Sequence, residues 1–222
     1  MKDIVILGTG NVDIIRLIEE INSENKRFNI IGFLDKNDDL KGTVVLGYPV
    51  VGNDDLLLGK LKGVAVVNNV MQSPLIHSLV SDRLQNRYGV ADFPNIIHPS
   101  INLNHTTIGH GNIIYKGVDI ATKVSIGNFN IFYPSTNIGH ETIVGHNNLF
   151  AINVTVGARC IVGDNIQFGN SSTISLNLTI GNNTEIGVGS VVINNVKENS
   201  RLLGYPAMDS HKVLKQFIKS NI

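Results

Sequence analysis

The sequence predicts two folds in succession, a small α/β domain and then a parallel β-helix. Residues 1–94 alternate apolar strands with amphipathic helices, whereas every sixth residue from Ile108 to Val192 is Ile, Val or Phe. The chain also combines 16% charged residues with 22 glycines among 222 residues, a composition that favours short strands and tight turns. We therefore expect an α/β domain over 1–94, a β-helix over 95–208 and a C-terminal helix over 209–222.

The first domain is predicted from its local periodicities. Apolar residues between Ile14 and Ile21 recur at helical spacing, and a second helix is expected to begin after the Ser73 cap and to end at Tyr88. Continuous apolar runs predict strands at Asp3–Leu7, Phe28–Leu34 and Gly63–Val67. Strands that alternate with helices in this way predict a small parallel, Rossmann-like sheet.

The second domain is predicted from a strict six-residue repeat. Its apolar positions are Ile108, Ile114, Ile120, Ile126, Phe132, Ile138, Val144, Phe150, Val156, Val162, Phe168, Ile174, Ile180, Ile186 and Val192. This period is typical of a hexapeptide β-helix, in which the apolar residues point inward and three repeats close a coil of about 18 residues. Glycine follows the apolar residue in nine of the fifteen places. We expect it to allow corner conformations that a side chain would obstruct.

Composition excludes several function classes. Lys+Arg and Asp+Glu are both 18, and this zero net charge argues against nucleic acid as a partner. No apolar run reaches the eighteen or so residues that span a bilayer, so no membrane partner is expected. One cysteine, Cys160, rules out an internal disulfide framework. Residues 1–8 are interpreted as a strand rather than a signal peptide, and a cytoplasmic protein is expected.

Several motifs along the chain resemble a known family. They are Gly8–Asn11, Gly32–Lys36, Gly47–Gly52, Ile96–Ser100, Ile138–Glu141, Ile186–Val192 and Gly204–Ala207. With the repeat, they resemble sugar acetyltransferases of the sialic-acid O-acetyltransferase and UDP-bacillosamine N-acetyltransferase type, within the hexapeptide-repeat acyltransferases. The resemblance implies a left-handed β-helix, a homotrimer, acetyl-CoA as co-substrate and no metal.

His140 is the candidate catalytic base. It shares its place in the 18-residue coil with Thr122, Ala158 and Leu176, none of which can titrate, and Glu141 follows it. A histidine can accept a proton near neutral pH, and a nearby carboxylate can raise its basicity. The resemblance assigns the base to His140 and its helper to Glu141, although neighbours on a regular strand point opposite ways, so the chain must bend there. The alternative is one more corner histidine.

A second column of polar residues is interpreted as a solvated ladder of turns. Its members, eighteen residues apart, are His110, Asn128, His146, Asp164 and Asn182. A zinc site built from His105, His110 and His146 is not favoured, because their order and spacing do not match the gamma-class carbonic anhydrases.

Three positions are candidates for acetyl-CoA binding. Leu149 stands where relatives often carry a second histidine near the thioester, so the sequence departs from the family there. Gly169 and Gly187 lie one coil apart and are expected to let the CoA arm approach a surface without side chains.

The nucleotide-sugar site is predicted in the first domain. Gly8, Thr9, Gly10 and Asn11 begin an incomplete dinucleotide fingerprint, in which Asp13 replaces the third glycine. The turn could place N–H groups near a diphosphate, or it could be a plain strand–helix turn. The resemblance assigns the nucleotide base to Asp35 and Lys36, with Gly52 beside them; a solvated turn is the alternative.

The resemblance predicts acetyl transfer from acetyl-CoA to the amino group of a nucleotide-linked deoxysugar. A 4-amino-4,6-dideoxy sugar of bacterial surface glycans, such as lipopolysaccharide O-antigen, is the expected kind of acceptor. O-acetylation of a sugar and a non-catalytic β-helix scaffold are the alternatives. The sequence leaves the nucleotide open among UDP, dTDP and GDP.

Overall fold

The computed structural model describes residues 1–205 and 208–209. The chain forms two compact units, residues 1–99 with 110–114, and residues 100–109 with those that follow 114. The helix expected over 209–222 lies outside the described residues except for Asp209. Asp209 belongs to a short strand and not to a helix.

The first unit contains a five-stranded sheet and two helices. In chain order its elements are β1 (Lys2–Leu7), α1 (Asp13–Glu24), β2 (Phe28–Leu34), β3 (Val44–Val45), β4 (Tyr48–Gly52), β5 (Ala65–Asn68), α2 (Pro74–Asn86) and β6 (Ile96–Ile97), and β8 (Ile113–Ile114) pairs in parallel with β6. The sheet order is β3-β4-β2-β1-β5. Two short 3₁₀ helices, Asp38–Leu40 and Asp54–Leu58, flank β3 and β4.

The sheet is parallel, as predicted, except at one edge. Strands β4, β2, β1 and β5 are parallel, but β3 pairs antiparallel with β4. The two residues between β3 and β4, Leu46 and Gly47, have φ of 45° and 90°. Two consecutive positive φ angles form the kind of tight turn that reverses a strand into a hairpin.

The two helices follow from their sequences. In α1 the buried residues Ile14, Ile15, Leu17, Ile18 and Ile21 form one face. Ser73 Oγ accepts a hydrogen bond from Ile76 N at 3.3 Å, and Pro74 takes the first helical position of α2, as the sequence predicts. This helix ends at Asn86, two residues before the expected end.

The second unit is a stack of short strands on three faces, each two residues long except the three-residue β22. The first face has β7 (Thr107–Ile108), β10 (Ser125–Ile126), β13 (Ile143–Val144), β16 (Ile161–Val162) and β19 (Thr179–Ile180). The second has β11 (Ile131–Phe132), β14 (Leu149–Phe150), β17 (Gln167–Phe168), β20 (Glu185–Ile186), β22 (Arg201–Leu203) and β23 (Met208–Asp209). The third has β9 (Asp119–Ile120), β12 (Asn137–Ile138), β15 (Thr155–Val156), β18 (Thr173–Ile174) and β21 (Val191–Val192).

The inward residues of each face stack from coil to coil. Phe132, Phe150 and Phe168 are fully buried and stacked, with ring centroids 4.6 and 4.5 Å apart. At one corner the interior is polar: Asn130 Oδ1 accepts from Asn148 N, and Asn148 Oδ1 accepts from Ile166 N. These side chains therefore satisfy backbone donors that the short strands leave unpaired.

The repeated glycines have a different role from the expected one. The positive φ angles of the corners fall on other residues, such as Glu141 at 61°, Asn147 at 55° and Asn165 at 58°. Most of the repeated glycines instead lie against the next coil, where a Cβ would collide with its backbone. A Cβ on Gly139 would lie 2.5 Å from Ala158 N, and one on Gly157 would lie 2.6 Å from Leu176 N. Glycine is therefore required by the close approach of consecutive coils and not by its backbone conformation.

The last pairing on the second face reverses direction. Strand β22 is parallel to β20, whereas β23 is antiparallel to β22. Within the described part of the chain, no helix is long and apolar enough to cross a membrane.

Candidate active site

His140 and Glu141 lie at the corner between β12 and β13. The side chain of His140 is 50% exposed, and its Nδ1 lies 3.8 Å from Glu141 Oε2. Glu141 has φ of 61°, so the chain does bend here, and the doubt about adjacent residues on a strand is removed. The distance allows an ion pair when the ring is protonated but exceeds a hydrogen bond.

A third charged group takes part at this corner. Lys123, one coil before Glu141, places Nζ 3.5 Å from Glu141 Oε1. The two carboxylate oxygens thus face different groups, the Lys123 ammonium and the His140 ring. All three side chains are largely exposed, so these contacts orient the groups and contribute little to stability.

The column that contains His146 is a solvent-facing ladder of turns, and hydrogen bonds link its steps. His146 Nδ1 accepts from Asn128 N at 2.9 Å, and Asp164 Oδ1 accepts from His146 N at 2.7 Å. The next step repeats the pattern, because Asn182 Oδ1 accepts from Asp164 N at 2.8 Å. The lone pair of Nδ1 is therefore engaged by the hydrogen bond from the Asn128 backbone N–H. His146 therefore has a structural partner and is not placed as a base.

The candidate acetyl-CoA residues lie on another part of the coil. Leu149 projects outward from β14, whereas His140 lies at the corner between the other two faces. Gly169 and Gly187 follow β17 and β20; a Cβ on Gly169 would lie 2.6 Å from Val188 N, and one on Gly187 would lie against Leu203 Cδ2. Backbone packing between coils accounts for Gly169, and at Gly187 the close atom is the end of the Leu203 side chain, so neither glycine by itself indicates a CoA surface.

The first unit brings Gly8, Thr9 and Asp35 together where β1 and β2 end. Asp35 Oδ2 accepts from Thr9 N at 3.1 Å and from Thr9 Oγ1 at 2.7 Å. Its Oδ1 accepts from Asn37 N at 3.0 Å. Burial alone would raise the pKa of Asp35, but the hydrogen bonds from Asn37 and Thr9 outweigh it and lower the pKa below its ordinary value.

The other predicted residues of this site lie around the same edge. Gly10 is exposed with no atom within 4 Å of where a Cβ would be, Lys36 is exposed, and the Gly52 carbonyl accepts from Asp35 N at 2.9 Å. Asn11 Oδ1 accepts from Asp13 N at 3.2 Å, and its Nδ2 lies 3.2 Å from Met71 Sδ. The predicted set is therefore contiguous. Asn69, which sequence reasoning missed, also contacts this turn.

Two further groups bear on the chemistry. Cys160 is fully buried and its Sγ lies 3.2 Å from Ser175 O; burial raises the pKa of its thiol, so it is not placed as a nucleophile. Among residues 1–205 and 208–209, no three His, Cys, Asp or Glu side chains cluster closely enough to hold a metal ion.

Comparison with known proteins identifies the fold. No protein-family model and no curated sequence matches the chain. A histidine variant of perosamine N-acetyltransferase from Caulobacter crescentus, in complex with CoA and GDP-perosamine, is 23% identical with a TM-score of 0.82, covering 94% of this chain and 97% of that one. The acetyltransferase domain of PglB from Neisseria gonorrhoeae is 16% identical with a TM-score of 0.82, covering 94% and 100%. WeeI from Acinetobacter baumannii AYE is 21% identical with a TM-score of 0.79, covering 94% and 100%.

These likenesses extend over nearly the whole of each chain. They confirm the predicted fold class, an α/β domain followed by a left-handed parallel β-helix. At identities below 25% these likenesses establish the fold alone.

Proposed function

We propose that the protein is an acetyltransferase that transfers an acetyl group from acetyl-CoA to the amino group of a nucleotide-linked deoxysugar. The observation that carries this proposal is the exposed His140 with Glu141 beside it, at a corner of the β-helix where its stacked neighbours cannot titrate. The matched structures support it, since one is described with CoA and GDP-perosamine and a PglB structure with acetyl coenzyme A.

The proposed reaction uses the chain's own groups as follows. The amine nitrogen of the sugar attacks the thioester carbonyl, and a C–N bond forms. Nε2 of His140 accepts the proton that the nitrogen loses, and Glu141 stabilises the imidazolium. The C–S bond then breaks, and the proton passes from His140 to the departing CoA thiolate. No metal is needed for this step.

In the same proposal the first unit binds the nucleotide part of the acceptor. The turn at Gly8–Asn11 follows β1 at the carboxyl edge of a parallel sheet, where ligands of such sheets bind. Asp35 orders this turn through Thr9, and Lys36 and Gly52 lie beside it. A 4-amino-4,6-dideoxy sugar on UDP, dTDP or GDP is the proposed acceptor, in surface glycan synthesis in the cytoplasm.

Release of free CoA from acetyl-CoA, measured with a panel of nucleotide amino sugars and with free sialic acid, tests the proposal. Turnover with a nucleotide amino sugar and formation of an amide product are expected. Turnover with sialic acid alone would favour the second candidate, sugar O-acetylation. If no acceptor gives CoA release above background, N-acetylation and O-acetylation of sugars are both contradicted, and a non-catalytic scaffold is the alternative that remains.

Replacing Asp35 with alanine should raise KM for the nucleotide sugar with little change in kcat or in acetyl-CoA affinity. The carboxylate holds Thr9, so its loss loosens the turn without touching the β-helix. Steady-state kinetics with each substrate varied in turn measure this. Lys41→Ala, an exposed change outside the turn, is the control, and an unchanged KM in Asp35→Ala would contradict this role of the domain.

The lowered pKa of Asp35 gives this prediction a pH dependence. A carboxyl group with a lower pKa in the folded state stabilises the fold above its ordinary pKa and loses that effect as the pH falls through the folded value. The stability difference between the wild type and Asp35→Asn should therefore be present at neutral pH and shrink in acid. Thermal unfolding across the acid range measures it.

We also propose that the protein is a homotrimer with acetyl-CoA bound between adjacent β-helices. Ile143 and Ile161 support it, because these neighbouring residues of one face are 53% and 51% exposed in the single chain. In this proposal His140 of one copy and Leu149 of the next line the acetyl-CoA site, since the two residues lie on different parts of one coil. Sedimentation at micromolar concentration should give a trimer, and Ile143→Lys with Ile161→Lys should dissociate it. A wild-type monomer would refute the proposal.

A further inference from the structure

Asn69, directly after β5, contacts both ends of the turn that follows β1. It is 2% exposed, and its Nδ2 donates to Gly8 O at 3.0 Å and to Asn11 O at 2.9 Å. Its backbone N–H donates to Leu7 O at 2.9 Å. A single buried side chain therefore ties the first residue of the turn to the last.

The turn is held from two sides by complementary groups. Because β1 lies between β2 and β5, the residues that follow those two strands flank the turn. Asp35, after β2, accepts from donors of the turn, whereas Asn69, after β5, donates to its carbonyl oxygens. Carbonyl oxygens repel a diphosphate and N–H groups attract it. By engaging two of these oxygens, Asn69 removes them from the surface that an anion would approach.

Two further observations describe how closely the turn and Asn69 are packed. Asn69 Oδ1 is buried and has no hydrogen-bond partner among the described residues, which is unfavourable for the fold. Gly8 has φ of +96°, and a Cβ there would lie 3.0 Å from Val70 Cγ2 and 3.4 Å from the Asn69 carbonyl carbon. The positive φ and the close Val70 side chain therefore favour glycine at residue 8, directly beside Asn69.

We propose that Asn69 is a positioning residue of the nucleotide-sugar site, which shapes the turn at Gly8–Asn11 for a nucleoside diphosphate without contacting the reacting atoms. The inference rests on the proposed function, because it assigns Asn69 to the substrate site of that reaction. It adds a residue that neither the dinucleotide fingerprint nor the Asp35–Lys36 pair includes.

The adjacent residue provides a matched control. Asn68 is 4% exposed, and its Nδ2 donates to His77 O at 3.0 Å and to Ser81 Oγ at 2.9 Å, both on α2. It has the same chemistry and the same burial, but its amide holds a helix instead of the turn. Loss of Asn68 should therefore lower stability and leave the turn intact.

The test is calorimetric titration of UDP, GDP and dTDP into the full-length wild type, Asn69→Ala and Asn68→Ala. For a nucleotide that the wild type binds, Asn69→Ala should raise Kd by roughly tenfold or more, and Asn68→Ala by no more than about twofold. In steady state, Asn69→Ala should raise KM for the nucleotide sugar while kcat and the KM for acetyl-CoA stay unchanged. Asn69→Asp, which cannot donate to the two carbonyls, should behave no better than alanine.

Two results would overturn the inference: equal affinity in Asn69→Ala and the wild type, or equal weakening in both variants, which would reduce Asn69 to a stability role. If the wild type binds none of the three nucleotides, the proposed function of this domain fails instead. Hydrogen exchange of residues 8–11 then decides whether Asn69 holds the turn. Faster exchange in Asn69→Ala alone supports it, and unchanged exchange rejects it.

Discussion

Replacing His140 with alanine should lower kcat by roughly two to four orders of magnitude, the usual contribution of a positioned general base. The fold should survive, because the side chain is half exposed at a corner and lies outside the apolar stack. Acidification should reduce wild-type turnover as well, since a protonated imidazole cannot accept the amine proton. Initial rates at saturating substrates, measured beside thermal unfolding, separate a chemical defect from a folding defect.

Two variants serve as controls for His140. Glu141→Gln should cost less than His140→Ala, since it removes support for the imidazolium and leaves the base. His146→Ala should keep turnover and lower the unfolding temperature, because its ring accepts from Asn128 N within the coil ladder. Near wild-type turnover in His140→Ala, together with inactivity of a folded His146→Ala, would place the base at the other corner.

Replacing Phe150 with alanine should lower the free energy of unfolding by about 3–5 kcal/mol, the usual cost of a buried Phe→Ala change. The ring is fully buried between Phe132 and Phe168, with centroids 4.6 and 4.5 Å away, so its loss leaves a cavity between two coils that cannot close. Urea unfolding at a fixed protein concentration measures the change.

Leu149 is the matched control for Phe150, because it belongs to the same strand and points outward. Leu149→Ala should change stability much less, and Phe150→Leu should recover part of the loss by filling the cavity. Equal losses in Phe150→Ala and Leu149→Ala would mean that the inward stack is not what holds consecutive coils together.

The repeat made the β-helix predictable because its determinants are local. Each inward position meets its own equivalent eighteen residues away, so one strand's pattern already specifies its neighbours, as in the pairing of Ile126 with Val144. The 18-residue spacing also predicts which residues stack on one another, and so it identified His140 as the one titratable residue of its column. The prediction that the glycines serve the corner conformation was wrong. Their role depends on how closely consecutive coils approach, and the sequence of a single hexapeptide does not contain that distance.

The α/β unit was predicted less completely because its site is assembled from separate strands. Gly8, Asp35 and Asn69 meet only when β2, β1 and β5 lie side by side, and the strand order is not encoded in any single segment. The motifs identified Gly8 and Asp35, whereas Asn69 is marked by no motif. The antiparallel β3 was missed because its turn needs a positive φ at Leu46. A leucine rarely adopts this conformation, so its presence in the sequence does not predict a turn.

The reversal of β23 against β22 has a consequence for how copies of this protein behave at high concentration. A stack of parallel two-residue strands presents unpaired N–H and C=O groups at its last coil, where another β-helix could add end to end and start a fibre. On this face β23 pairs with β22 and runs antiparallel to it, with Leu202 opposite Asp209. The backbone groups at this edge of β22 are therefore already paired. The next coil of a second copy would therefore meet a strand of the wrong polarity, and growth into filaments should be blocked there.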